Sequence, residues 1–112
     1  MILETKDHNF EHDVIMSDLP VMVDFYSPGC RPCQIAELIL EKVAIRFYER
    51  VKIYKLNIDE NSKIALKYVI TGTPTFFIFS KGSVVEQIVG LQREQFYCKI
   101  LNEILNKNAA LA

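Results

Sequence analysis

The stretch DFYSPGCRPCQ, residues 24–34, brings together one acid, Asp24, and two cysteines separated by Arg31 and Pro32. Thiols three positions apart can join as a disulfide and part again if they fall on neighbouring turns of a helix. The chemistry this permits is reversible two-electron exchange between a dithiol and a disulfide. Cys30 would stand at the first turn, where unpaired backbone N–H groups and the positive end of the helix dipole favour a thiolate, the attacking species. Cys33 would lie inside the helix, better placed to resolve a mixed disulfide than to start one. Pro32 suits the first turn, which has no acceptor for its missing N–H, and it stiffens the loop. The same spacing also serves zinc or iron–sulfur sites, but these take about four ligands and commonly a second cysteine pair. Beyond the pair only Cys98 remains, alone in the sequence. Redox and metal chemistry therefore both stand on spacing, and a strand before the pair with a helix after it favours redox.

The surrounding pattern supplies those elements. VMVDFY, residues 21–26, is apolar on both alternating faces except at Asp24, as expected of a strand buried between two layers. From Pro32 to about Glu49 the period changes: Ile35, Ile39, Val43 and Phe47 recur every four residues with Ala36, Leu40 and Ala44 beside them, while Glu37, Glu41 and Lys42 face elsewhere. VKIYKLNI, residues 51–58, restores a strand, and strand–helix–strand in that order implies a parallel pair. The first strand's carboxyl end then carries the cysteines.

Further elements complete the plan. A short strand over Ile2–Glu4 and a helix near Asn9–Met16, with Phe10 and Val14 one turn apart, come first. A short helix spans 61–68, and TGTP (71–74) breaks the chain before TFFIFS and SVVEQIV, whose Lys81-Gly82 connection demands an antiparallel hairpin. Phe96, Tyr97, Ile100, Leu101 and Ile104 mark a closing helix from about Arg93 to Asn106, and residues 107–112 read as a frayed tail. The expected fold class is α/β, a mixed sheet of about five strands flanked by about four helices.

Composition limits the partners. A chain of 112 residues, half of them hydrophobic, suits one domain over 1–112. The net charge of -1 is made of interspersed acids and bases, without the basic footprint that nucleic acid requires. No segment approaches the ~20 apolar residues of a membrane span, and the charged N-terminus lacks a signal-peptide core. The expectation is a cytoplasmic protein, and an odd three cysteines argue against a secreted disulfide framework.

Asp24 is the one charge in a strand that otherwise reads as buried, so desolvation should raise its pKa into the range useful for proton transfer. It is the candidate base for Cys33; the competing reading is a wet strand end. Lys55 interrupts the apolar parity of Val51 and Ile53. Its stem either carries the charge to a partner or snorkels to water. Cys98, at the edge of the last helix's apolar face, reads as a small half-buried residue. His8 and His12 share a solvated face and lack a third ligand, so no metal is expected there.

VMVDFYSPGCRPC, then KLNID, then TGTPTFFIFSKGSVVEQIVG resembles the thioredoxin family in order and over nearly the whole chain. The resemblance implies a thioredoxin fold and a protein-disulfide reductase in which Cys30 attacks, Cys33 resolves, and thioredoxin reductase or a similar donor restores the dithiol. It implies further that Lys55 pairs with the buried Asp24, and that Pro74 is cis beside the dithiol, leaving the Thr73 backbone free to pair with a client by strand addition. Gly72 and Gly90 would border that surface together with Gly29, Arg31 and Pro32. Disulfide-containing client proteins, no cofactor beyond the Cys30–Cys33 disulfide, and a monomer complete the expectation. A dedicated-partner protein and a non-catalytic binding module of the same fold are the alternatives. The family usually has Trp-Cys-Gly-Pro-Cys-Lys where this chain has Gly29-Cys30-Arg31-Pro32-Cys33-Gln34. Gly29 therefore lacks an indole's contact surface, and Arg31 adds a fixed charge expected to favour the Cys30 thiolate and make the disulfide more oxidising.

Overall fold

In the computed structural model, which describes residues 1–111, the chain opens with a short strand, β1 (Leu3–Glu4), and a π-helical turn over Glu11–Ile15. There follow β2 (Val21–Tyr26), α1 (Arg31–Arg46), β3 (Lys52–Asn57), α2 (Ser62–Lys67), β4 (Thr75–Ser80), β5 (Ser83–Val89) and α3 (Glu94–Leu111). The strands lie in the order β1-β3-β2-β4-β5. β3 runs parallel to both β1 and β2, while β4 is antiparallel to β2 and to β5. This is the mixed five-stranded sheet expected, with β2 at its centre.

The pleat sorts the apolar strands into two layers, because successive side chains leave opposite faces. Met22, Ile53, Phe76 and Ile78 face one side, where Ala36, Leu40 and Val43 of α1 meet Tyr97 and Leu101 of α3. Val21, Val23, Phe25, Leu56, Phe77 and Phe79 face the other, covered by Phe10 just before the π-helical turn, by Val14 within it, and by Ile64 and Tyr68. Phe10–Phe79 and Phe25–Phe77 meet edge to face at 5.6 and 5.3 Å. Each such buried side chain contributes roughly 1.5–3 kcal/mol from the apolar surface it removes from water. The aromatic geometry adds about 0.5–1.5 kcal/mol per pair.

α1 buries Ala36, Leu40, Val43 and Ala44, whereas Ile35 is exposed and Ile39 half-buried. The stripe read at Ile35 and Ile39 therefore starts off the core face. A strict four-residue series drifts around a helix of 3.6 residues per turn, so its early members rotate away as Val43 and Phe47 come in. The helix stops at Arg46 instead of about Glu49, in a turn where Glu49 takes φ 65°.

The β4–β5 connection is two residues long, with Lys81 and Gly82 at φ 53° and 81°. Positive φ at both central positions matches the twist of a tight hairpin. α3 continues beyond Asn106 to Leu111, so residues 107–111 are helical where a tail was expected, and 112 lies outside the described residues. Alanines at 109 and 110 favour helix, and the Asn108 side-chain amide donates to Ser80 Oγ at 3.1 Å. No helix of the described residues is long and apolar enough to cross a membrane.

Two consequences of this topology build the site. Four residues separate the end of β2 from the start of α1, which places the cysteines at the carboxyl end of the central strand. Because β4 is antiparallel to β2, with Phe25 opposite Thr75, the segment entering β4 arrives at that same end.

Candidate active site

Cys30 and Cys33 form a disulfide with their Cα atoms 5.2 Å apart. Cys30 is the N-cap of α1, and the backbone N–H of Cys33 donates to Cys30 Sγ at 3.2 Å. A helix start needs such acceptors, since its first N–H groups have no partner within the helix. After reduction the same N–H and the positive helix end would face a Cys30 thiolate. The two sulfurs differ in access: Cys30 is half-buried at the surface, while Cys33 is 4% exposed. Gly29, Arg31 and Pro32 are all exposed around Cys30.

The Thr73–Pro74 peptide bond is cis. Cys30 Sγ lies 3.6 Å from the Thr73 carbonyl oxygen; while the disulfide stands there is no S–H to donate, so this is a contact and becomes a hydrogen bond only for the thiol. The Gly90 N–H donates to the Pro74 carbonyl at 2.9 Å, and Gly90 adopts φ 86°, a conformation that favours glycine. Gly72 accepts from Thr75 Oγ1 through its carbonyl at 2.7 Å. Thr73 thus lies against the sulfur that solvent can reach, and Pro74, next in the chain, is tied to Gly90.

Behind the other sulfur lies the acid. Asp24 is 1% exposed, in register with Lys55 on β3 and with Phe76 on β4. Burial pushes its pKa up to about 7, the Glu37 carboxylate adds to the rise, and Lys55 opposes it. Asp24 Oδ1 has no hydrogen-bond partner among the described residues. Asp24, Cys33, Glu37 and Lys55 line a cavity of about 90 Å³ together with Ser27 and Gln34. That space is large enough for water, and Tyr26 and Pro28 complete its lining.

The expected pairing of Lys55 with Asp24 is corrected here. Lys55 is Asp24's neighbour in the sheet, yet its Nζ bonds Glu37 Oε1 at 2.7 Å. A carboxylate that is partly hydrated competes better for an ammonium than one whose ionisation is opposed by burial. In the sequence Glu37 falls off the apolar stripe of α1, with nothing local to tie it to Asp24. The one signal available was its place one helical turn after Cys33, which carries it over the sheet end where Asp24 lies.

The sequence profile of the Thioredoxin family matches residues 1–103. The chain is 37% identical to a thioredoxin of Rickettsia bellii over 102 residues, 91% of this chain and 97% of that one. It is 39% identical over 87 residues to a thioredoxin of Synechocystis sp., covering 78% and 81% of the two chains. A match of 37% over 87 residues joins it to thioredoxin 1 of Nostoc sp., with 78% and 81% covered. The chain belongs to the thioredoxin family. It is a thiol–disulfide oxidoreductase, a protein-disulfide reductase whose redox-active group is the Cys30–Cys33 disulfide.

Within a thioredoxin frame, the two unusual flanks occupy open positions. A Cβ added at Gly29 would meet nothing within 4 Å, so glycine is not enforced by packing there. Arg31 makes no ion pair among the described residues and is exposed, its guanidinium available to whatever approaches Cys30. Cys98, expected half-buried, is buried on the inner face of α3, where Arg46 Nη1 donates to its sulfur at 3.4 Å. His12 Nδ1 meets its neighbour Asp13 Oδ1 at 3.1 Å. Among the described residues no cluster of three metal-binding side chains forms.

Proposed function

We propose that this thioredoxin-family protein reduces disulfides of client proteins, with Cys30 as nucleophile, Cys33 as resolving thiol and Asp24 as the acid–base group. The Cys30 thiolate attacks one client sulfur, breaking the client disulfide and releasing a client thiolate. Cys33 gives its proton to Asp24 and attacks Cys30 Sγ, breaking the mixed disulfide and releasing the second client thiolate. The client gains two electrons and the Cys30–Cys33 disulfide forms, to be reduced again by thioredoxin reductase or a similar donor. The observation that carries the assignment is the asymmetry of the sulfurs: Cys30 is the accessible one at the helix start, and Cys33 is sealed against the cavity of Asp24.

The client face comprises Gly29, Arg31, Pro32, Thr73, Pro74 and Gly90, with the Thr73 backbone offering strand-like pairing. Lys55 acts behind this face, through Glu37 and the cavity wall. The proposed protein works as a monomeric single domain in the cytoplasm, with the disulfide as its sole redox group and no metal. Scattered charge and a net of -1 support clients that are proteins over nucleic acid.

The test is an NADPH-coupled assay with thioredoxin reductase and a protein disulfide as acceptor. Catalytic NADPH oxidation that depends on this protein is the expected result; its absence with a disulfide that titrates reversibly would reject the general-reductase reading. Gly29 and Arg31 support a second reading, a dedicated partner, since both lie where a client or reductase docks. Arg31→Gly is expected to make the disulfide less oxidising, lowering its reduction potential by about 10–30 mV, about a twofold to tenfold change in the exchange equilibrium. Equilibration against glutathione measures it, and an unchanged potential would assign Arg31 to partner contact alone.

A further inference from the structure

The pair Lys55–Glu37 is an unusual feature to find at the rim of a buried acid. Asp24 needs a cation to ionise comfortably, and the sheet register supplies one: Lys55 is its direct neighbour on β3. The cation is nevertheless bound elsewhere, 2.7 Å from Glu37 Oε1. Asp24 Oδ1 is left without a partner, in a cavity that all three groups line with Cys33. An ion pair between half-exposed groups contributes little to folding, so the consequence of this one lies in where it holds the charges.

We propose that Glu37 is a positioning residue that sets the proton affinity of Asp24, by holding Lys55 away from the buried carboxyl and by presenting a like charge to it. The inference rests on the reading of Asp24 as the acid–base group for Cys33, and names what tunes that group.

The other groups around Asp24 leave this role to Glu37 and Lys55. From α3 comes Tyr97, whose hydroxyl accepts the Gln92 N–H at 3.0 Å and whose pKa burial pushes up to about 12, so it is neutral. From β4 comes Phe76, opposite Asp24 in the ladder and uncharged. α1 contributes Cys33 and Glu37, and β3 contributes Lys55. With Glu37 ionised, Asp24 has a like charge nearby and a cation tied down, and both favour the protonated carboxyl. With the two forms balanced near neutral pH, the carboxylate can take the Cys33 proton during resolution and the acid can return it when the disulfide is reduced, a match that proton transfer requires.

The two members of the pair make opposite demands, which gives the test its power. Glu37→Gln removes the like charge and frees Lys55 to turn toward Asp24, so the Asp24 midpoint should fall. Lys55→Gln removes the opposing cation, so the midpoint should rise. Both substitutions break the same ion pair, and a merely structural effect would move them together. The measurement is a carboxyl ¹³C NMR titration of the oxidised protein, with Asp24→Asn to assign the resonance. The expected result is a fall of about one pH unit for Glu37→Gln, the size of one charge interaction at close range, and a rise for Lys55→Gln. Glu37→Asp, which keeps the charge, should stay nearer the original midpoint. An unmoved or raised midpoint in Glu37→Gln, or shifts of one sign in both variants, would overturn the proposal. The pH dependence of mixed-disulfide resolution is read alongside. If the midpoint moves as stated and the rate profile does not follow, the role of Glu37 stands and the reading of Asp24 as the base for Cys33 is what fails.

Discussion

Cys33→Ser protein mixed with a disulfide client should stop as a covalent adduct through Cys30, while Cys30→Ser protein should form no adduct at all. Attack and resolution are separate displacements, and each needs a thiolate aligned with the sulfur it strikes. Cys30 is reachable from solvent, caps α1 and receives the Cys33 N–H, a donor that would stabilise the thiolate. Cys33 is 4% exposed, so a client disulfide cannot approach it without opening the start of α1. Losing Cys30 removes the nucleophile outright, and losing Cys33 removes the step that frees the client. Both variants should lose turnover by about three orders of magnitude or more, as loss of a nucleophile does elsewhere. Non-reducing electrophoresis with mass spectrometry of the adduct checks the result. An adduct through Cys33 in the Cys30→Ser protein would reverse the assigned roles.

Asp24→Asn should make the protein more stable, by an amount that grows with pH. The folded carboxyl holds its proton up to about 7, against an ordinary value of 3.8. Between those values the folded state binds a proton that the unfolded state has released, so stability falls by about 1.4 kcal/mol per pH unit. The stabilisation linked to this proton is complete below the unfolded value and is lost as pH rises through the folded one. Across that window the loss is on the order of 4 kcal/mol. An asparagine has no charge to desolvate, so its advantage over Asp24 should appear above about pH 4 and level off above about pH 7 at several kcal/mol. Urea unfolding of the oxidised proteins at pH 5 and pH 8 measures the difference. A gain that is the same at both pH values would show that ionisation of Asp24 is not its source. The same substitution should slow resolution of the mixed disulfide, so stability and proton transfer are opposed at this residue.

Much of the molecule was legible from local pattern. The bounds of β2 at Val21 and Tyr26 follow from an apolar run closed by Pro20 and Ser27-Pro28. The hairpin of β4 and β5 follows from Lys81-Gly82 between two strand-like runs, since a two-residue connection leaves one geometry. Cys30 and Cys33 at the head of α1 follow from strand, breaker and helix in succession. Buried Asp24 follows from its apolar flanks on both sides. In each case the forces that decide the outcome act between residues close in sequence.

What escaped was set across elements. Ile35 stays exposed because the core face of α1 depends on which way the helix is rotated against the sheet. Residues 107–111 stay helical with Asn108 donating to Ser80, 28 positions away. Cys98 is buried because α3 lies against α1, where Arg46 reaches its sulfur.

The active site divides along the same line. Sequence alone determined the redox pair, its placement at a helix start and the buried acid behind it, because residue type, spacing and the strand-then-helix pattern around them dictate those. Only the tertiary structure decided that Lys55 turns to Glu37 and leaves Asp24 Oδ1 without a partner. Three charges on β2, α1 and β3 meet at one sheet end, and the winner of a competition for a single cation is settled by distance and by the cost of desolvation. Neither quantity exists until the chain has folded.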